Sequence, residues 1–281
     1  YTHSSRRNCG DCGSVQCAPL VLLNNMTLFD SIILGIVEGI TEFLPVSSTG
    51  HLMIASRLLG NTPTDFSKTF EIAIQSGAIF AVLFLYVTLL FKHRNLISKI
   101  AVGFLPTLVA GLILYPLVKS YFQENIIVVF IALIVGGIAM LFVEKNSPQD
   151  TAPRALESLS YRDALKLGTM QILALIPGIS RSGATIIGGL ALRYPRTFLV
   201  EFSFLLALPT IFGATAYDLY KNNFVFSRDE ITLLLVGALV SAVVAYIAMK
   251  TFLNYIKNNT FTPFAYYRIC IGIIGLLYFL L

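Results

Sequence analysis

Two short polar stretches interrupt an otherwise apolar sequence, and both carry side chains that suit a phosphate group or a cation. The first, EGITEFLPVSSTGH, begins at Glu38 and ends at His51, and it also contains Glu42. The second, PGISRSGAT, begins at Pro177 and adds Arg181 among serines and glycines. If the apolar segments around them cross a membrane, a charged side chain at the centre of such a helix costs roughly 2.5–3.5 kcal/mol on insertion scales, so we treat these groups as functional candidates.

The two glutamates of the first stretch are four residues apart, so a helix places Glu38 and Glu42 on one face. Like charges at that spacing repel each other unless one is protonated or a cation lies between them. The pair therefore predicts a divalent-cation site or an acid–base site. The alternative is a structural pair, in which one glutamate caps a helix or meets an arginine.

Hydroxyl side chains follow Pro45 in the first stretch, at Ser47, Ser48 and Thr49. These residue types favour helix N-termini, where free N–H groups attract anions, phosphates above all. The second stretch repeats this pattern and adds Arg181, whose planar guanidinium matches two phosphate oxygens at once. For one or two of the hydroxyls, simple helix capping is the alternative.

His51 closes the first stretch and can exchange protons near neutral pH. A lone histidine in an apolar segment usually has a structural role. Beside two glutamates, three hydroxyls and a phosphate-binding arginine, a chemical role is favoured.

The composition indicates a membrane protein. Of 281 residues, 56% are hydrophobic and only 12% are charged, whereas about a quarter is usual in soluble domains. The mean hydropathy is +0.77. Five apolar runs lack any charge and a sixth is broken only by Arg268; they are residues 72–91, 100–118, 126–143, 202–217, 231–249 and 261–281. Because about 20 residues cross the hydrocarbon core, we expect an all-α polytopic protein with about six full spans.

Two further apolar stretches, residues 28–60 and 161–194, fit a single spanning helix poorly because proline and charged residues interrupt them. Each is typical of a helix, a polar break and a second helix. The two breaks also resemble each other, and their shared pattern pairs Ser47 with Ser180.

We infer that residues 28–144 and 161–281 form an internal repeat; chance similarity between apolar segments is the alternative. Each half also places a glutamate, Glu71 or Glu201, at the head of a long apolar run. If each half is one re-entrant hairpin plus three spans, the odd number of crossings inverts the second half. The hairpins would then enter from opposite faces and meet near the midplane.

The charges of the loops predict the orientation. Cytoplasmic loops usually carry the excess of Lys and Arg. Of the two sets of loops described next, the first has the excess and is therefore expected to be cytoplasmic, which puts the first hairpin and both termini on the outer side. One side collects Lys92, Arg94, Lys99, Lys145, Arg154, Arg162, Lys166, Arg193, Arg196, Lys250 and Lys257. The other side collects only Arg57, Lys68, Lys119, Lys221 and Arg228. This spread over short loops does not suggest a nucleic-acid partner.

We expect residues 1–25 to be a disordered N-terminal extension and residues 26–281 to form a single integral-membrane catalytic domain. Three of the four cysteines lie in the extension. A zinc site there would need a fourth ligand, and only His3 is nearby, so zinc is the less favoured alternative.

EGITEFLPVSSTGH and PGISRSGAT resemble the two signature segments of undecaprenyl pyrophosphate phosphatase, the bacitracin-resistance membrane phosphatase family. The similarity extends over residues 26–281 and includes KTFEIAIQSG and EFSFLLALPTIFGATAYDLYK. The resemblance implies hydrolysis of undecaprenyl (C55 isoprenyl) pyrophosphate to undecaprenyl phosphate and inorganic phosphate. This reaction recycles the lipid carrier for peptidoglycan synthesis and confers bacitracin resistance. The resemblance also implies a divalent cation, Mg²⁺ or Ca²⁺, and the bacterial cytoplasmic membrane, with the active site open to the outer face.

Carried over position by position, the resemblance implies three sets of site residues. The catalytic set is Ser48, His51, Glu42 and Arg181. The substrate-binding set is Arg181, Ser47, Thr49, Ser180, Ser182 and Thr185. The metal-binding set is Glu38 and Glu42.

Ser48 is the preferred nucleophile, with His51 as its proton partner, and a metal-activated water is the rival. The isoprenyl tail is expected to lie in an apolar groove open to membrane lipid. The competing class is an inverted-repeat secondary transporter or lipid flippase, because broken helices that meet at the midplane are common there. A homodimer is left open.

Overall fold

The computed structural model describes residues 26–62, 64–121, 126–147, 153–221 and 226–280. The predicted disordered extension, residues 1–25, lies outside the described residues. Across the described ranges every regular element is a helix, which confirms the all-α class.

Six of the described helices are long and apolar enough to cross a membrane, which confirms the predicted number of spans. They are α3 (Asp65–Lys92), α4 (Arg94–Tyr121), α5 (Ile126–Asn146), α8 (Arg196–Lys221), α9 (Arg228–Ile256) and α10 (Thr262–Leu280). Large apolar side chains such as Phe84, Leu112 and Phe142 point outward and are exposed, as a lipid environment requires.

Shorter helices form two hairpins. They are α1 (Leu28–Thr41) with α2 (Ser48–Leu58), and α6 (Tyr161–Met170), extended by a 3₁₀ turn (Gln171–Leu175), with α7 (Arg181–Ala191). A further 3₁₀ turn (Leu156–Ser158) precedes α6. Even the 14 residues of α1 reach only about 21 Å, less than the roughly 30 Å hydrocarbon core. Capping boxes start both hairpins, Thr27 with Asp30 and Ser160 with Asp163.

Each hairpin packs its first helix on a span of the other half, α1 on α9 and α6 on α4. Glycines permit the close approach, because a Cβ on Gly39 would lie 2.7 Å from the carbonyl oxygen of Ser241. A Cβ on Gly168 would lie 1.8 Å from the carbonyl oxygen of Gly103. Small residues at such contacts are typical of membrane helix pairs. The internal repeat and the inverted relation of its two halves both stay predictions.

Candidate active site

The tips of the two hairpins share an unusual backbone conformation. Ser47 and Ser180, which the sequence pattern pairs, have φ angles of 72° and 73° and directly precede α2 and α7. The left-handed region costs a residue with a Cβ roughly 1–2 kcal/mol, so both tips are held in a strained shape by their surroundings. Gly178, with φ of 93°, supplies the turn that follows Pro177.

The two tips lie against each other and border a partly open cavity of about 170 Å³. Ser182 Oγ, from the second hairpin, donates a hydrogen bond to the carbonyl oxygen of Leu44, in the first, at 2.9 Å. Polar residues of both tips line the cavity, together with residues of α3 and α8: Glu42, Ser47, Ser48, Thr49, Gln75, Ser180, Arg181 and Thr210. Segments far apart in the sequence therefore build one polar site.

Glu42 is the central group of this site. Ser48 Oγ donates a hydrogen bond to its Oε2, and Arg181 Nη2 donates to its Oε1 at 3.3 Å. The side chains of Arg181 and Glu42 are only 10% and 7% exposed, so water screens their attraction weakly. The carboxylate is thus placed to accept the proton of the Ser48 hydroxyl, and the guanidinium is placed to meet an anion in the cavity.

Arg181 is fixed by contacts beyond its ion pair. Its Nη1 donates a hydrogen bond to the carbonyl oxygen of Ser203, in the buried centre of α8, at 2.7 Å. The guanidinium carbon also lies 5.7 Å from the ring centroid of Phe43. These contacts fix the direction of the guanidinium before any substrate arrives, which favours electrostatic stabilisation of a phosphate.

Glu38 lies one helical turn before Glu42 and is fully buried. Neither of its carboxylate oxygens has a hydrogen-bond partner among the residues that the structure describes. Glu42, Glu71 and Arg181 are the charged groups within electrostatic range. Glu71 itself accepts a hydrogen bond from Ser56 Oγ at 3.3 Å. A buried carboxylate without donors is costly unless it is protonated, for example by sharing a proton with Glu42, or meets a cation.

His51 lies close to the tip of the first hairpin but contacts neither Ser48 nor Glu42 through its ring nitrogens. Its Nδ1 is 2.7 Å from the carbonyl oxygen of Ser47, and its Nε2 is 2.7 Å from the hydroxyl of Tyr267. The two rings are stacked, with centroids 5.5 Å apart. The hydrogen bond of the Ser48 hydroxyl goes to Glu42 and not to His51, and the predicted role of His51 as the proton partner of Ser48 stays a prediction.

The predicted phosphate-binding hydroxyls fall into two groups. Thr49, Ser47 and Ser180 line the cavity. Ser182 and Thr185 are fully buried, and their hydroxyls donate to the carbonyl oxygens of Leu44 and Arg181, the latter at 3.1 Å. These two stabilise the tip rather than face the cavity.

The sequence motifs did not predict three polar residues that lie near the cavity. Gln75 and Thr210 line it from α3 and α8, and Arg268 lies behind its wall. Gln75 lies four residues after Glu71 in an otherwise apolar stretch, and Arg268 is the single charge of its run. A polar side chain in an otherwise largely apolar run was therefore the available signal for Gln75 and Arg268.

The fold and the site define a polytopic membrane protein in which two hairpin tips meet at a polar cavity that suits an anionic, phosphate-like group. The chain belongs to the bacitracin resistance protein BacA family, whose family model matches residues 31–274.

Relatives of the chain share most of its length. An undecaprenyl-diphosphatase of Wolinella succinogenes is 51% identical over 90% of this chain and 98% of its own. Undecaprenyl-diphosphatases of Persephonella marina and Aquifex aeolicus are 47% and 43% identical, each over 91% of this chain and 100% of their own.

Proposed function

We propose that this protein hydrolyses undecaprenyl pyrophosphate to undecaprenyl phosphate and inorganic phosphate. The observation that carries the proposal is the buried array of Ser48, Glu42 and Arg181 on one cavity. It supplies a nucleophile, a proton acceptor and an anion-binding cation, and the relatives named for this activity support the same reaction. In the cell the reaction returns the lipid carrier to peptidoglycan synthesis and underlies bacitracin resistance.

The chemical step begins with attack of Ser48 Oγ on the terminal phosphorus, while the hydroxyl proton passes to Glu42. The bond from that phosphorus to the bridging oxygen breaks, undecaprenyl phosphate leaves with the proton from Glu42, and a phosphoserine remains. Glu42 then takes a proton from a water molecule that attacks the phosphoserine. The proton returns to Ser48 Oγ as inorganic phosphate leaves.

Charge stabilisation dominates phosphoryl transfer, because the transferred group carries several negative charges. Arg181 supplies a fixed positive charge at the cavity. The N-terminus of α2 adds free amide groups, since Ser47 makes no side-chain capping bond to it. In α7, Ser180 Oγ already accepts a hydrogen bond from the amide of Gly183, which leaves fewer free amide groups there. These groups act in a buried site, where each interaction is stronger than in water.

We propose that Glu38 and Glu42 hold a divalent cation, Mg²⁺ or Ca²⁺. The partnerless oxygens of Glu38 fit such an ion. Across the described residues no three His, Cys, Asp or Glu side chains cluster as a metal site. The remaining ligands would therefore be phosphate oxygens and water, which is how Mg²⁺ is usually bound. When bound, the ion would neutralise charge on the pyrophosphate.

The isoprenyl chain leaves the cavity on its apolar side. Ala174, Ile176, Ile211 and Ala214 line that side, and neighbouring apolar side chains such as Phe212 are exposed on the outer surface. We infer that the isoprenyl chain reaches the lipid between the 3₁₀ turn after α6 and α8, where these apolar residues lie. Small alanines leave room there for the first isoprene units.

We place the protein in the bacterial cytoplasmic membrane, with the cavity open to the outer face. The excess of Lys and Arg on the opposite set of loops supports this orientation. The apolar outer surface of the six spans supports insertion across the bilayer.

Phosphate release from purified protein in detergent tests the function. We expect release from undecaprenyl pyrophosphate by the parent protein and its loss in Arg181→Ala. A transporter or flippase needs a sealed membrane, whereas this enzyme does not. A folded parent protein that releases no phosphate in detergent, but moves the lipid across vesicle membranes, would reject the proposal.

A further inference from the structure

A second arginine, Arg268 in α10, lies completely buried in the protein. Within the described chain it forms no ion pair with an acidic side chain, and its partners are backbone carbonyl oxygens alone. They are those of Leu133 at 3.4 Å, Pro45 at 3.0 Å, Ala132 at 3.3 Å and Gly178 at 3.0 Å.

These carbonyl groups belong to three separate parts of the fold. Pro45 is in the break of the first hairpin, Gly178 is in the break of the second, and Ala132 and Leu133 are in α5. One guanidinium therefore joins both hairpin tips to a spanning helix. Gly178 also lines the cavity, so the guanidinium lies directly behind the wall of the site.

Glycines keep open the space that Arg268 occupies. A Cβ on Gly136 would lie 2.3 Å from Nη2 of Arg268, and a Cβ on Gly183 would lie 3.1 Å from its Nη1. Gly136 is in α5, and Gly183 is in the first turn of α7. A Cβ at Gly136 would push the guanidinium away from the carbonyl groups, whereas a Cβ at Gly183 would require a shift of only a few tenths of an ångström.

A buried cation without an anion is expensive, and an apolar side chain of similar volume often stabilises such a position as well or better. Stability alone therefore gives no reason for an arginine here. The guanidinium does offer five N–H donors in a fixed plane, which lysine does not. That geometry fixes the distance between the acceptors that it joins.

We propose that Arg268 is a positioning residue for the phosphatase reaction, and that it sets the spacing of the two hairpin tips. The inference rests on the proposed function. The first tip carries Glu42 and Ser48, and the second carries Arg181. Holding Pro45 and Gly178 on one guanidinium aligns the nucleophile with the group that binds the phosphate. A displacement of about 1 Å in such an alignment can cost about 10²-fold in rate.

Three variants and two controls test this proposal. Arg268→Met removes the donors, Arg268→Lys keeps the charge without the planar donors, and Gly136→Ala displaces an intact arginine. Arg196→Met is the first control, because Arg196 pairs with Glu144 and touches neither tip. Gly111→Ala is the second, since the nearest atom to its added Cβ would be 3.8 Å away.

We expect Arg268→Lys and Gly136→Ala to fold and to lose about 10²-fold in kcat with a smaller change in KM. Amide hydrogen exchange should accelerate in both tips at once, at residues 44–50 and 177–183. Neither control should change the exchange of the tips. If Arg268→Met does not fold, Arg268→Lys and Gly136→Ala still test the proposal.

Parental kcat in a folded Arg268→Lys or Gly136→Ala variant would overturn the proposal, as would faster exchange in one tip only. In the case of Arg268→Lys, parental kcat would mean that a positive charge at this position is enough and that the planar donors are not needed. The exchange measurement needs no turnover. A parent protein that releases no phosphate would therefore reject the proposed function, while the spacing of the tips could still be measured.

Discussion

The hydroxyl of Ser48 donates a hydrogen bond to one carboxylate oxygen of Glu42, and the other oxygen of the same carboxylate accepts a bond from Arg181. Glu42 is thus held between the proposed nucleophile and the proposed phosphate-binding cation. Beside its proposed part in cation binding, this arrangement gives Glu42 two tasks, to take a proton and to orient the arginine. Substitutions at this carboxylate and around it should separate those tasks.

Glu42→Gln should abolish most of the activity. The amide keeps the size of the side chain and can still accept a bond from Arg181, but it is a very weak base. We expect kcat to fall by about 10²–10⁴-fold, the usual range for a general base. Phosphate release in detergent measures this, with Glu157→Gln, an exposed glutamate, as the control. A kcat close to that of the parent protein would remove Glu42 from the mechanism.

Substitution of Ser48 and substitution of its neighbour Ser47 should affect the activity differently. Ser48→Ala should lower kcat by at least about 10³-fold if Ser48 is the nucleophile. Ser47→Gly should keep most of the activity, because glycine adopts the φ of 72° at that position without strain. Labelled substrate should also leave a phosphoserine in a quenched reaction. High activity in Ser48→Ala would favour direct attack by water.

His51→Gln should lower kcat less than Glu42→Gln does. The histidine contacts Ser47 and Tyr267 and makes no hydrogen bond to Ser48, so its loss leaves the proton acceptor in place. We expect a smaller fall in kcat than in Glu42→Gln, and a similar fall in Tyr267→Phe, which removes the partner of Nε2. Loss of activity equal to that of Glu42→Gln would return His51 to the direct role expected from the sequence.

Substitution of Glu38 should change how the activity depends on the divalent cation. Chelator should inactivate the parent protein, and Mg²⁺ or Ca²⁺ should restore it. Glu38→Gln should raise the cation concentration needed for half-maximal activity, because the ion loses one carboxylate ligand. Thermal stabilisation by the cation, measured without substrate, should weaken in parallel. The same cation response in Glu38→Gln and the parent protein would exclude Glu38 as a ligand.

Asp163, at the start of α6 and outside the six spans, should make stability depend on pH. Burial alone would raise the pKa of Asp163, but hydrogen bonds from Tyr194, Arg154 and Ser160 outweigh it and hold that pKa well below its usual value. Because the folded-state pKa is depressed, this stabilisation is present above about pH 4 and is lost at lower pH.

Asp163→Asn should therefore lower the melting temperature in detergent at pH 7, and the difference from the parent protein should shrink below about pH 4. Asp229→Asn, at an exposed aspartate, is the matched control. A difference that stays constant from pH 7 to below about pH 3 would show that the ion pair and hydrogen bonds of Asp163 do not stabilise the fold.

The helices and their breaks were predictable because they depend on local order along the chain. Long uncharged runs predicted six spans, and the interrupted runs around Pro45 and Pro177 predicted two hairpins. The similarity of the two breaks also paired Ser47 with Ser180, which share one backbone conformation. The partner of Ser48 was not predictable, since His51 and Glu42 are both close to it in the sequence.

By itself the sequence determined the class of protein, the positions of the polar breaks and the residue types of the proposed phosphate site, because hydropathy and motifs are properties of neighbouring residues. Only the tertiary structure decided which groups meet. It brought Arg181 to Glu42, turned His51 toward Tyr267, and placed Arg268 between the carbonyl groups of Pro45 and Gly178. The physical reason is that a side chain buried in a membrane protein must find its partners on other helices, and the packing of those helices sets the distances.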